Sequence, residues 1–342
     1  MRAVRTGAVI MQSWPDLSVE RHVRLARLCE EAGYDLVLFP EAFGVEGFSL
    51  CAAVAAATER IQVGNGILPI ANRSPALTAM GAATVADASG GRFVLGLGAG
   101  HRAITTGWHE LPDFEPRIGR VRDYLLAVRR ILSGHVNERG YGLSFRAPER
   151  LPIHLAALRP TALRLAGELA DGAQLLLIPL DDVARTAALV REGAERVGRD
   201  PAEVDVCFAL MACVTNDPGP AREAARRTLA WYGGLPFYNA MFADGGFPDE
   251  AAAMARAWER LAADAGGRDA IVLPVDDVLE HVPDALIDAI FAIGSGPECR
   301  ARLAALRTRG IDRATVYPFG PYADGAAAEE GFARTIVELA GA

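Results

Sequence analysis

Two hydrophobic rhythms alternate along the chain. Short, almost wholly apolar runs are separated by longer stretches in which apolar positions recur every three or four residues. A continuous apolar run marks a strand buried on both faces, and the longer period marks an amphipathic helix. The pattern predicts strands at 4–11, 35–39, 61–67, 93–97, 153–156, 173–178, 204–214 and 314–318. It predicts helices at 18–32, 50–57, 75–88, 118–132, 161–169, 183–197, 221–231, 249–265, 283–293, 297–308 and 331–339. Ser18 caps the first helix and Gly33 stops it. A loop is expected from 98 to 116, and the polar stretch 134–150 has room for a small hairpin. Eight strand–helix units fit an α/β, TIM-like (β/α)8 barrel with insertions at its C-terminal face. The expected domain organisation is one domain, 1–342, with a helical insertion at about 218–290. A doubly wound sheet is the alternative.

The stretch SGGRFVLGLGAG, residues 89–100, locates a site within that frame. Its strand opens into Gly96, Gly98 and Gly100. Glycines at the carboxyl end of a parallel strand let a ligand approach the backbone. A tight turn is the alternative reading. QVGNGILP, residues 62–69, ends a second strand with Gly64 and Gly66, where a bulge in the barrel wall is the preferred reading of the stretch alone. The GLGAG run is not a dinucleotide fingerprint, because the G-x-G-x-x-G spacing from Gly96 puts His101 where glycine is required.

Composition narrows the chemistry. All 35 basic residues are arginine, which excludes Schiff-base and P-loop lysines. The net charge of −8, with signs interspersed, speaks against nucleic acid or an anionic membrane as partner. Cys29, Cys51, Cys207, Cys213 and Cys299 form no C-x-x-C pair, and no run reaches membrane-span length, so a soluble cytoplasmic protein is expected. No histidine spacing suits a metal, and none is expected.

Four features remain as candidates. Glu41 follows the second strand at the barrel mouth, where it is either a site residue or a solvated strand-end acid. His101 follows GLGAG, as a site residue or as a cap of a nearby helix. His154 reads as a core residue and His22 as a surface one. In Arg159-Pro160-Thr161, Thr161 is read as the N-cap of a helix whose free amides and neighbouring arginine suit phosphate, with an ordinary capped helix as the plainer reading. Trp14, Trp108, Phe114, Trp231, Tyr232, Phe237, Tyr238 and Phe242 cluster in segments expected to wall a pocket, with helix packing as the plainer reading for Trp231 and Tyr232.

Taken together, EEAGYDLVLFPE (30–41), ATERIQVGNGILPIANRSPALTA (57–79), SGGRFVLGLGAG and LAGELADGAQLL (165–176) resemble the luciferase-like flavin and deazaflavin oxidoreductases. RIGRVRDYLLAVRRILSG (117–134), AWYGGLPFYNAMFADGGF (230–247) and IGSGPECRARLAALRTRGIDRATVYP (293–318) extend the resemblance over nearly the whole chain. The segment with Tyr238 and Gly246-Phe247 is similar to the F420-dependent branch, near the methylene-tetrahydromethanopterin reductases.

The resemblance implies F420, or alternatively FMN, at the carboxyl face. It implies cofactor contacts at Glu41, Gly66, Ile67, Gly98, Gly100, Ala157, Leu158, Arg159, Leu177 and Ile178, and substrate contacts at Trp14, Trp108, Tyr232 and Tyr238. It also implies a cis peptide at Gly66–Ile67 and a homodimer. Two departures from the pattern shape the expected reaction. Ala42 follows Glu41 where some relatives carry a histidine base, and His101 stands where they carry a glutamate acid. These departures favour hydride transfer from reduced F420 to a C=C or C=N bond of a small organic substrate, with His101 as proton donor near neutrality. The alternatives are an FMN-dependent monooxygenase using dioxygen and a catalytically degenerate flavin-binding protein.

Overall fold

The computed structural model describes residues 5–11, 16–111, 117–145, 147–264 and 274–341. Its described strands are β1 (Arg5–Val9), β2 (Leu36–Phe39), β3 (Gln62–Asn65), β4 (Leu68–Pro69), β5 (Phe93–Gly98), β6 (Ile153–Ala156), β7 (Gly172–Leu176), β8 (Asp205–Val214), β9 (Ala292–Gly294) and β10 (Arg313–Pro318). All pairings are parallel, in the order β10-β1-β2-β3-β5-β6-β7-β8, and β8 pairs back to β10 to close an eight-stranded barrel. The short β4 pairs with β5 beyond the end of β3, and β9 pairs with the last residues of β8.

The helices are α1 (Val19–Glu31), α2 (Gly47–Ala57), α3 (Pro75–Ala88), α4 (Arg102–Gly107), α5 (Ile118–Leu132), α6 (Pro160–Leu169), α7 (Val183–Arg196), α8 (Pro218–Gly233), α9 (Pro236–Asp244), α10 (Pro248–Asp264), α11 (Asp284–Ile290), α12 (Gly296–Ala305) and α13 (Gly325–Glu338). Local chemistry sets several of their ends. Ser18 accepts the Arg21 N–H, Ser74 accepts the Leu77 N–H ahead of Pro75, and Gly33 ends α1 with a φ of 85°. The long third crossover is held by Arg92. Its guanidinium donates to the carbonyls of Ala55, Thr58, Ile61 and Ser89 and so ties the end of α2 to β5.

The structure corrects the sequence expectations at several points. The strand expected at 61–67 breaks at Gly66 into β3 and β4. The helix expected at 283–293 ends at Ile290, and β9 follows. The expected loop 98–116 contains α4, and the insertion gains α9. The described part of 134–150 holds a turn at Asn137 but no strand. Thr161 lies inside the first turn of α6, because Pro160 takes the first helical position and makes Arg159 the N-cap. His22 is fully buried on the core face of α1, where Nδ1 lies 2.8 Å from the Ser18 carbonyl and Nε2 lies 3.2 Å from that of Met11. His154 is buried as expected.

Helices α6 and α7 cross at unusually close range. A Cβ on Gly167 would fall 1.9 Å from the Val190 carbonyl oxygen, and one on Gly193 would fall 2.1 Å from that of Arg164. This contact fixes how closely α6 packs against α7. No described helix is long and apolar enough to cross a membrane.

Candidate functional site at the barrel mouth

A cavity of about 950 Å³ opens at the carboxyl ends of the strands. Its floor is made by Pro40 and Glu41 after β2, Gly66 and Ile67 between β3 and β4, Gly98 to His101 after β5, and Ala156 to Arg159 after β6. Gln174 to Leu176 of β7 also line it, as do Arg227, Thr228, Trp231, Tyr232, Phe237 and Tyr238 of the insertion. This is the face where parallel-barrel enzymes assemble their sites.

The bulge at Gly66 shapes the floor. The Gly66 N–H donates to the Phe39 carbonyl at 2.9 Å, and the Glu41 N–H donates to the Ile67 carbonyl at 2.9 Å. A Cβ on Gly66 would lie 2.8 Å from the Pro40 nitrogen, so only glycine lets the two strand ends approach. Described peptide bonds are all trans, Gly66–Ile67 included, which corrects the expected cis bond. The bulge closes through these two interstrand hydrogen bonds with the ordinary trans geometry of a non-prolyl bond. Gly100, with a φ of 78°, turns the chain from β5 into α4.

Glu41 is buried and fully engaged. Arg73 donates to its Oε1 at 2.6 Å and to its Oε2 at 2.8 Å, and the Gly47 N–H donates to Oε2 at 2.7 Å. Arg73 also holds Glu46 at 2.5 Å, and Glu46 in turn caps α2 by accepting the Phe48 and Ser49 amides. Burial lowers the Arg73 pKa, but Glu41 and Glu46 outweigh it and leave the guanidinium raised. The arrangement is a brace across the barrel mouth, with both Glu41 carboxylate oxygens held by hydrogen bonds.

His101 lines the cavity at the N-cap of α4 but makes no capping bond. Its ring sits 5.6 Å from that of Tyr238. Burial pushes its pKa down to about 4, so the imidazole is neutral at physiological pH. This corrects the expectation of a histidine titrating near neutrality. Tyr232 is pushed up to about 12 by burial, and Tyr238 and Tyr317 are raised well above the usual range by the same cause. All three stay protonated.

The structure brings together Glu41, Gly66, Ile67, Gly98, Gly100, His101, Ala157, Leu158, Arg159, Tyr232 and Tyr238. It does not bring Leu177 or Ile178 to the cavity. Leu177 takes a φ of 60° just after β7, and both side chains turn into the core, each 1% exposed. Trp108 is 63% exposed at the C-cap of α4, because the helix carries it away from the mouth. Trp14 and Phe114 lie outside the described residues. Sequence reasoning passed over Gln174, whose Nε2 donates to the Asn65 carbonyl at 3.2 Å beneath the bulge. A lone polar residue within the apolar run of β7 was the available signal. It also passed over Arg73, whose partners are distant in sequence.

The family model described as luciferase-like monooxygenase matches residues 5–313 of the chain. The chain is 28% identical over 325 residues to 5,10-methylenetetrahydromethanopterin reductase of Methanolobus tindarius, covering 92% of this chain and 94% of that protein. It is 31% identical over 228 residues to the F420-dependent glucose-6-phosphate dehydrogenase of Rhodococcus erythropolis, covering 60% and 67% of the two. The solved structure of coenzyme F420 dependent tetrahydromethanopterin reductase from Methanopyrus kandleri has the same fold, with a TM-score of 0.74 over 98% of each chain at 21% identity.

Proposed function

The chain belongs to the luciferase-like monooxygenase family, and on that premise we propose an F420-dependent oxidoreductase that reduces a C=C or C=N bond of a small organic substrate. The observation that carries this reading is the floor of the cavity. Gly66, Gly98 and Gly100 leave backbone bare along one side, and Arg159 with the first turn of α6 stands at its edge. A flat ring fits against bare backbone, and a phosphate fits beside an arginine at a helix start. Relatives whose names specify F420 support the choice of cofactor.

In this reading the Gly66–Ile67 bulge backs the ring, and Ala157, Leu158 and Arg159 hold the phosphate end. When bound, reduced F420 supplies a hydride, and one proton completes the reduction. His101 is neutral, so it serves as a hydrogen-bond donor that orients the substrate. Glu41 and Arg73 hold the bulge in place. A homodimer belongs to the same reading and is checked by light scattering.

The test is a pair of titrations of the purified protein, with F420 and with FMN, at equal ionic strength. Tight F420 binding with weak FMN binding is the expected result. The reverse would move the reading to an FMN-dependent monooxygenase that consumes dioxygen. Binding of neither would remove the cofactor reading. His101→Ala is expected to lower kcat about tenfold or more while leaving F420 affinity unchanged, and unchanged turnover would rule out a role for the imidazole.

A further inference from the structure

The reduction proposed above consumes one proton, and most titratable groups around the cavity are poorly suited to give it. His101 is neutral and has no imidazolium proton to lose. Both Glu41 oxygens are held by Arg73 and the Gly47 N–H. Arg159 and Arg227 line the cavity, but a guanidinium keeps its protons in proteins. The phenols of Tyr232, Tyr238 and Tyr317 remain.

Tyr317 differs from the other two in its seat. Tyr232 and Tyr238 belong to α8 and α9 of the insertion. Tyr317 stands near the carboxyl end of the barrel strand β10, in register with Met211 of β8. That end of a barrel strand is where such folds place reacting groups. In the closed strand order β10 lies opposite β5, four places away in either direction. Tyr317 and Gly98 therefore line the cavity from opposite sides.

The hydroxyl of Tyr317 has a poor partner. The residue is 3% exposed, yet it lines the cavity, and its hydroxyl donates to the Met11 Sδ at 3.2 Å. A thioether is a weak acceptor, so a carbonyl oxygen or imine nitrogen beside it would draw the hydrogen away. Burial, with Tyr232 and Tyr238 nearby, raises the phenol's pKa well above the ordinary range. Tyr317 thus keeps its proton in the resting site. It releases the proton only to an acceptor that becomes strongly basic, as these two atoms do when hydride arrives.

We infer that Tyr317 is the hydrogen-bond and proton donor to the substrate heteroatom, an imine nitrogen or the oxygen of a carbonyl conjugated to a C=C bond. The Tyr317 O–H bond breaks, and an N–H or enol O–H bond forms. The carbon at the far end of the reduced system takes the hydride, with its electron pair, that reduced F420 supplies under the reading above. The phenolate regains a proton from water, and an enol product ketonises in solution. Proton transfer rests on that reading; the hydrogen bond does not.

The test begins without cofactor. The conjugated ketone 4-phenylbut-3-en-2-one is titrated into the protein, and its carbonyl stretch is followed by infrared difference spectroscopy. Binding is expected to move the stretch to lower frequency. In Tyr317→Phe most of that shift should be lost, and affinity should fall about fivefold. Met11→Leu removes the competing acceptor and should keep the shift. An unchanged shift in Tyr317→Phe, or its loss in Met11→Leu with a native circular dichroism spectrum, would overturn the assignment. With reduced F420 bound, Tyr317→Phe should lower kcat about 100-fold or more at unchanged F420 affinity. Turnover equal to wild type would overturn proton donation. Tight F420 binding with no carbonyl shift in the wild type would sink this inference alone. Failure to bind F420 with the shift intact would sink only the cofactor reading.

Discussion

Removing Arg73 tests whether Glu41 is a brace or a reactive group. The Glu41 carboxylate accepts three hydrogen bonds, of 2.6, 2.7 and 2.8 Å, and Arg73 gives two of them. The side chains are 13% and 8% exposed, so the pair is largely shielded from water. In Arg73→Met, Glu41 keeps only the Gly47 N–H, and Glu46 loses the cation it shares. Breaking a buried pair from one side costs about 3–5 kcal/mol, because the remaining charge is left uncompensated. Glu41→Gln is different. The amide oxygen still accepts from Gly47, and Arg73 keeps Glu46, so the loss is about 1–2 kcal/mol. In thermal unfolding, at roughly 2 °C per kcal/mol for a chain of this size, Arg73→Met should melt at least about 6 °C below wild type. Glu41→Gln should melt only a few degrees below. F420 affinity in Glu41→Gln should stay within about threefold of wild type. Equal melting of the two variants, or an unshifted Glu41→Gln that has lost all turnover, would refute the brace and return Glu41 to the chemistry.

Three further outcomes follow from the packing and the buried histidines. Gly66→Ala places a methyl group 2.8 Å from the Pro40 nitrogen; it should destabilise by about 1–3 kcal/mol and weaken F420 binding together, which thermal melts and titrations check. Gly167→Ala drives a methyl group into the Val190 carbonyl at the α6–α7 crossing. It should cost at least as much stability, and a melting point equal to wild type would show that the helices slide apart freely. His154 is held near a pKa of about 4 by burial, against 6.5 for the free side chain. The unfolded chain therefore takes up a proton that the folded one refuses as pH falls from 6.5 toward 4. The associated stability is present above pH 6.5 and is lost through that window, to an extent on the order of 3 kcal/mol. His154→Leu should flatten this part of the curve of melting temperature against pH, and an unchanged slope would contradict the burial argument.

Much of the barrel was legible because its signals are strong and local. The eight barrel strands are apolar runs, and caps such as Ser18 and Ser74 carry their own chemistry. The elements that were missed lack such signals. The helix α4 is six residues long with no side-chain cap, so its formation depends on the surrounding mouth and not on propensity. The strand β9 has three residues and continues the apolar period of α11 without a break in composition. Only its pairing with the end of β8 makes it a strand. The packing of Leu177 and Ile178 was hidden for the same reason. The positive φ of Leu177 turns both it and Ile178 inward, and nothing in an apolar run signals that turn. Glycine floor residues were found because glycine announces close approach, whereas Arg73 acts through partners 27 and 32 positions away in sequence.

The two ends of the barrel divide its charge in a way that bears on function. At the amino end, Arg313 is 3% exposed and donates to Asp205 at 3.1 and 3.2 Å and to Gln62 at 3.3 Å. Arg5 joins the same carboxylate at 2.7 Å. This network plugs the bottom of the barrel by linking the first residues of four strands. At the carboxyl end the Glu41–Arg73–Glu46 brace is one such network, and Arg227 with Asp276 and Glu223 is another. Glycine backbone and neutral rings make up much of the cavity between them, with Glu41, Arg159 and Arg227 as its charged lining residues. In the proposed reading the hydride comes from a bound cofactor, and the barrel supplies its position and surroundings. Substitutions in the Arg313 network should therefore lower the melting temperature with F420 affinity unchanged, which melts and titrations check.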